Sequence, residues 1–408
     1  MKASKLILAS CLALAAVVNM ASAQIELRIT GSTAYRSATI QAIQDSLNAG
    51  FTVGWVGTGT LAGSTEAIFK GTTKNTVPAN IAVTIKTAFS GSVGGVFSLT
   101  TGNGIPDGTA TPPITVGFLV DTTPTSVLPG TANVPNTIET PVAPAGADKA
   151  GFPNVAMSDS FQSSTPDKTP VLNDTQVGVV PFEWARNVGS PATITNITNQ
   201  LASAVLLLGS LPQYQFDNGA SATPVFVTGR NFDSGTRLDA FAESGFGINS
   251  PPSQLDTTTT TANHIASGAW VAGAGGNVFF AAANGLTSGG QVATALDATG
   301  SQTVIGGSLI SYLGVADANT AVTGGATTLT YNGVAFSVAA VQNGQYTFWS
   351  YEHFLKSPQL TALGASDNHN IVANALASTI ASDAAVSPAG ILLSGMLVAR
   401  AAEGAPVF

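Results

Sequence analysis

Apolar residues recur at two spacings along this chain, and the switch from one to the other marks its units. Residues 25–30 alternate as IELRIT, the period of a strand. They run through Gly31-Ser32-Thr33 into residues 37–47, where Ile40, Ile43 and Leu47 share one face of a helix. The succession recurs. Residues 81–89, IAVTIKTAF, read as a strand entering the turn Ser90-Gly91-Ser92-Val93-Gly94-Gly95, and residues 155–159 as a short strand ended by the carboxylate of Asp159. Residues 224–228 read as a short buried strand, with a helix from Arg237 carrying Leu238 and Phe241. Further strands are expected at 114–120, 177–181, 305–315 and 348–354. Helices are expected at 196–208, after Ser288-Gly289-Gly290, at 368–382 and at 388–402. Hairpins are expected over 51–70 and 327–341, the second turning at Asn332-Gly333. Strands alternating with helices predict an α/β protein with mixed, mostly parallel sheets flanked by helices. Its ligand would sit beyond strand carboxyl ends, where the glycine- and hydroxyl-rich turns accumulate.

One of those turns carries the sharpest chemistry. In residues 223–241, TPVFVTGRNFDSGTRLDAF, Arg230 is followed by Asp233-Ser234-Gly235-Thr236, a turn-and-cap sequence at a helix start. Unpaired backbone amides, the helix dipole, hydroxyls, a close-approach glycine and a guanidinium fork together suit a tetrahedral oxyanion. Read alone, the stretch is equally an ordinary strand-to-helix loop in which Ser or Asp merely caps.

Composition narrows the setting. The 408 residues suffice for two domains with sizeable cores; 44% are hydrophobic and only 9% charged. Lys2 and Lys5, an apolar run over residues 6–18, and Ala21-Ser22-Ala23 form a secretory signal peptide. Cleavage is expected after Ala23, and with it a periplasmic or secreted location. The single cysteine, Cys11, lies inside that segment. Leu8-Ala9-Ser10-Cys11 is similar to a lipoprotein signal box, but the apolar run before it is short and continues past it, which favours plain cleavage. The mature chain then has neither thiol nor disulfide, in a compartment that permits both. Without Lys2 and Lys5 the formal net charge is about −10, and no basic stripe offsets it, which argues against nucleic acid or an anionic membrane as partner. No later apolar run approaches the roughly 20 residues of a membrane span.

Five places, in order along the mature chain, resemble the periplasmic phosphate-binding proteins that feed phosphate ABC transporters. ITGSTAY at 29–35 is similar to the first phosphate loop and FSGSVGGV at 89–96 to the Gly-Ser-Ser-Gly-Gly turn. AMSDS at 156–160 resembles the family's Ala-Ser-Asp stretch, and GRNFDSGTR at 229–237 its Arg-x-x-x-Ser-Gly-Thr loop, the most specific of the five. ISYLGVADA at 310–318 followed by NGQYTFWSYEHFL at 343–355 resembles the end of the second lobe and the return to the first. The resemblance implies a type II two-lobed binding-protein fold. Lobe I would span 24–188 plus 345–408, with inserts near 51–80 and 100–153, and lobe II 189–344. It further implies that Thr33, Ala34, Ser92 and Asp159 from lobe I and Arg230, Ser234, Gly235 and Thr236 from lobe II hold the anion. Arg230 would clamp two oxygens and the hydroxyls would donate. Asp159, able only to accept, would demand a proton on the ligand and so select phosphate over sulfate.

The sequence departs from that pattern in places. Two positions after the arginine stands Phe232, with Asp233 next, so the group that orients Arg230 is open; position 93 is Val where a second serine is usual. Gly63-Ser64-Thr65 is a second placing for the Ser92 turn, ranked lower because it lacks the Gly-Gly-Val that follows. Other chemistry finds little footing. His264, His353 and His369 have no metal-helix spacing, Ser92 lacks a nucleophile-elbow glycine, and no Gly-rich loop precedes Lys-Ser/Thr. Glu183 with Arg186, and Asp239 with Glu243, read as solvated pairs, and Trp184, Trp270 and Trp349 as core or hinge packing without a basic partner. The expectation is a monomeric, non-enzymatic phosphate carrier without cofactor or metal, bringing inorganic phosphate or a related oxyanion to an ABC permease. The alternative is a secreted or cell-surface structural protein that keeps the same fold.

Overall fold

The computed structural model describes residues 24–57, 59–102, 105–106, 115–142, 146, 149–258, 262–265, 269–272, 277–281, 284–297, 305–383 and 390–408. The expected signal peptide with Cys11, parts of the 100–153 insert and the first residues of the expected 388–402 helix lie outside the described residues. One half of the molecule is built from β1 (Ile25–Gly31), α1 (Arg36–Ser46), β2 (Thr52–Trp55), β3 (Glu66–Thr72), β4 (Ala82–Ala88), α2 (Ser92–Thr101) and β5 (Val155–Ser158). The long strand β6 (Asn173–Arg186) leads to α3 (Asn199–Leu208), β7 (Ser210–Pro212), β8 (Pro224–Val227), α4 (Gly235–Glu243), α5 (Gly289–Asp297), β9 (Ser308–Gly314) and α6 (Val315–Thr323). Then β10 (Trp349–Lys356) returns to the first half, and α7 (Asn368–Asp383) follows it.

A single 13-stranded sheet passes through both halves in the order β7-β8-β9-β6-β10-β5-β1-β4-β3-β2, with short edge segments beyond. The passage is made by β6, whose residues 173–181 pair with β10 and whose residues 182–186 pair with β9. In this sheet parallel pairing is confined to β1 with β4 and β5, β8 with β9, and a short edge pair on β2. The rest is antiparallel, which corrects the expectation of mostly parallel sheets. Connectivity is the reason. β2 and β3 fold back as a hairpin, and β6 and β10 cross between the halves in opposite directions.

The structure covers both faces of β1. Arg28 is 1% exposed and Lys86 on β4 is 0% exposed. Arg28 pairs with Glu26 and Glu139, while the Lys86 ammonium pairs with Glu26, Asp121 and Glu139. Asp121 and Glu139 come from the 100–153 insert, so this part of it is docked on the sheet rather than a surface excursion. Its Phe118, Leu119 and Val134 are buried as well. Glu26, Asp121 and Glu139 lie close enough together to hold a cation, and the Lys86 ammonium occupies that role.

Three local expectations change. Asn332 and Gly333 do turn, with φ of 51° and 82°, and Tyr331 and Val334 pair across them, but the hairpin extends no further: Thr327–Thr328 pair with β6 and Thr330–Tyr331 with Asn196–Ile197, while Val338–Gln342 is helical. Residues 390–402 form no α-helix. Ile391 bridges to Val179, and Arg400 lies 4.3 Å over the Trp349 ring while donating to the Trp349 and Thr347 carbonyls. Trp349 thus has a basic partner after all, and an extended chain is what brings it there. The strand expected at 114–120 is reduced to Thr115–Val116. Among the described residues no helix is long and apolar enough to cross a membrane.

Candidate anion-binding site

Register gathers the first half of the site. Thr30 pairs with Ala88 and Gly31 with Met157, so the ends of β1, β4 and β5 lie level and their turns deliver Thr33, Ser92 and Asp159 to one edge. Close packing fixes them. Gly31, at φ +102°, sits so near Met157 that a Cβ would meet its carbonyl oxygen at 1.9 Å, and a Cβ on Gly95 of α2 would lie 2.8 Å from the Gly31 Cα. From the other half, the chain leaving β8 presents Arg230. Ser234 then caps α4, its hydroxyl accepting from the Arg237 amide at 3.2 Å.

The two edges meet directly. The Ser92 hydroxyl donates to Asp159 Oδ1, and the Thr236 hydroxyl donates to Oδ2 at 3.3 Å. A Cβ at Gly235 would lie 1.6 Å from Asp159 Oδ1 and 2.7 Å from Ser92 Cβ, so only glycine fits. The Asp233 carbonyl accepts from the Val93 and Gly94 amides at 2.9 and 3.2 Å, drawing first-turn donors of α2 across to the α4 loop. Ser92, Asp159, Arg230, Ser234, Gly235 and Thr236 are all buried.

Arg230 is gripped by its neighbours' backbone. Its Nε and Nη2 donate to the carbonyls of Leu286 and Thr287 at 3.2 and 3.0 Å, and its own amide donates to the Tyr312 hydroxyl at 3.2 Å. Nη1 makes no hydrogen bond among the described residues, so the guanidinium keeps donors for a ligand. Burial holds Arg230 below its ordinary pKa, against the pull of Asp317 and then Asp159. Burial likewise pushes the Asp159 carboxyl up, opposed by the Ser92 hydrogen bond, the Arg230 charge and the Thr236 hydrogen bond. Asp233 lies by Arg237 instead.

Thr33 and Ala34 make no hydrogen bond to this cluster among the described residues. They line an adjoining cleft of about 200 Å³ together with Arg36 and Asp317. Thr33 Oγ1 is nonetheless buried without a hydrogen-bond partner among the described residues, as is the side-chain amide of Asn231. Such orphaned donors beside a guanidinium leave hydrogen-bonding capacity for a ligand. Ser64, the other placing, donates to the Leu61 carbonyl.

Two buried carboxyls stand behind the cluster, Asp239 on α4 and Glu352 on β10. Burial raises both well above the ordinary range, and the Asp159 charge adds to it. Asp239 is therefore not half of a solvated pair with Glu243, which bonds Arg400 and Thr347 instead. Glu183 is also buried and bonds Thr328, its pKa pushed up to about 7 by burial, while Arg186 donates to the Ser190 carbonyl. Sequence reading missed Arg36, Asp317 and the Leu286–Thr287 carbonyls. No local motif marks them, since each matters only through what it lies beside.

Two α/β halves joined by crossing strands, with polar turns meeting at their facing strand ends, define a two-lobed binding-protein fold. Among solved structures the chain is similar to a Clostridium perfringens protein described as a phosphate ABC transporter substrate-binding protein with bound phosphate. The match has 11% identity and a TM-score of 0.50, covering 90% of this chain and 99% of that one. An ABC-type phosphate transport receptor from Vibrio cholerae is similar at 12% identity, with a TM-score of 0.46 and coverage of 90% and 99%. The first likeness places the fold among those of phosphate transporter substrate-binding proteins, as the sequence resemblance implied. No protein-family model and no curated protein matches the chain.

Proposed function

We propose that the protein is an extracytoplasmic solute-binding protein that captures inorganic phosphate between its two lobes and passes it to an ABC importer. The observation that carries this reading is the meeting of Ser92 and Asp159 with Gly235 and Thr236, beside an Arg230 that keeps free donors. Such a cage offers many donors and one carboxylate. A fully deprotonated oxyanion would face that carboxylate with lone pairs only, whereas phosphate carrying a proton can donate to it. The hydroxyls of Ser92 and Thr236, which donate to Asp159, would turn to the anion as it enters. Lobe I comprises 24–188 and 345–408, lobe II 189–344, and closure bends the crossings near 185–193 and 341–348. The change of partner within β6 falls between Pro181 and Phe182, shortly before the first of these crossings. Binding and closure are the whole activity; no catalyst or cofactor enters it.

The test is calorimetric titration of mature protein, stripped of anion by unfolding and refolding, with phosphate, sulfate and arsenate. Micromolar or tighter phosphate binding with sulfate rejected is the expected result. A folded protein that gives no heat with any of the three overturns the proposal and favours a structural role.

A further inference from the structure

The segment that grips Arg230 is itself seated against a carboxylate on another element, Asp317. Leu286 and Thr287, whose carbonyls hold the guanidinium, lead directly into Gly289 at the start of α5. A Cβ on Gly289 would lie 1.9 Å from Asp317 Oδ2, so the Asp317 carboxylate is seated against the segment that grips Arg230. Asp317 stands in the first turn of α6, whose cap, Gly314, packs on Ala34 of the opposite lobe. Beside Ala34, Arg36 opens α1 and lines the same cleft as Asp317. Arg36 makes no hydrogen bond among the described residues. Asp317 exerts the strongest attraction on Arg36 and on Arg230, and Glu66 pulls more weakly on Arg36.

We propose that Asp317 is a positioning residue shared by two arginines, holding Arg230 toward the anion and, with Arg36, clasping the lobes shut over it. The first role rests on the phosphate reading; the clasp does not. It supplies from α6 the orienting carboxylate that Phe232 and Asp233 do not provide. The arrangement acts through space and not through a direct ion pair, so it leaves room for the lobes to part. A bystander carboxylate lining the cleft beside the site would act oppositely. Its repulsion would weaken binding, and neutralising it would strengthen binding.

The experiment compares wild type, Asp317→Asn, Asp317→Glu, Arg36→Met and the Asp317→Asn/Arg36→Met double variant. Phosphate affinity and release rate are measured at low and high salt. The radius of gyration of the anion-free protein is measured by small-angle scattering, and melting temperatures confirm folding. Asp317→Asn is expected to weaken phosphate binding about tenfold and speed its release, the scale of a coupled charge pair. Asp317→Glu recovers part of the loss, and Arg36→Met has little further effect once Asp317 is gone. Both single neutral variants expand the anion-free protein, and high salt narrows their difference from wild type. Unchanged or tighter phosphate binding by Asp317→Asn overturns the positioning role; additive effects in the double variant overturn the clasp. Should wild type bind no phosphate, the functional reading fails and the positioning role falls with it. The clasp is then judged by scattering alone, where unchanged dimensions in both variants refute it.

Discussion

Gly235→Ala is the substitution whose effect the geometry specifies most closely. Gly235 is the first residue of α4 and its φ does not require glycine. Helix propensity alone would favour alanine by about 1 kcal/mol. With the lobes together, however, the new Cβ would lie 1.6 Å from Asp159 Oδ1, and ordinary contact begins at 3.4 Å, so the two must part by about 1.8 Å. That movement breaks the two bonds from Val93 and Gly94 to the Asp233 carbonyl, which hold the two edges together. At about 1 kcal/mol net apiece, two lost hydrogen bonds come to about 2 kcal/mol, which is about thirtyfold in affinity. The assay is calorimetric titration with phosphate, alongside thermal denaturation of the anion-free protein. Binding should collapse while the melting temperature changes little, because neither lobe's core is touched. Phosphate affinity close to wild type would refute the idea that Gly235 seats directly on Asp159 in the binding state.

Asp159→Asn should bind sulfate as readily as phosphate, because an amide can donate to an oxygen that carries no proton; competition titration reads this, and retained rejection of sulfate would count against the role given to Asp159. In wild type, since burial raises the Asp159 pKa, sulfate should begin to compete as pH falls and the carboxyl takes up a proton. Glu183 is held up to about 7 from 4.5. Its contribution therefore favours the fold at low pH and is lost as pH rises through 7. Glu183→Gln should be more stable than wild type at pH 8 by on the order of 3 kcal/mol relative to their difference at pH 4; equal urea midpoint differences at the two pH values would contradict this. Glu139→Gln leaves the Arg28 and Lys86 cations buried with weaker partners. It should cost about 3 kcal/mol in urea unfolding, and a loss under 1 kcal/mol would mean that the insert is not pinned through this network.

Local chemistry was legible in the sequence. Ser234 could be read as a cap because its hydroxyl bonds an amide three residues on, and β1, β4, β8 and their turns follow from periodicity and glycine placement within a few positions. The polar turns could be named individually, and their order along the chain suggested one site. Their meeting is a different matter. The Ser92–Asp159 and Thr236–Asp159 contacts close separations of 67 and 77 residues. Those closures depend on which strands lie side by side and in what register, and no residue near either end encodes that. The same holds for the antiparallel majority of the sheet, set by how β6 and β10 cross, and for Asp317, an unremarked helix residue until α5 and α1 are brought against it. Charge was the least legible property. Arg28, Lys86, Glu183 and Asp239 all sit in sequence contexts that suit water, yet all four are buried. Whether a charge is solvated, paired or forced neutral is decided by what excludes water from it, and only the assembled fold determines that.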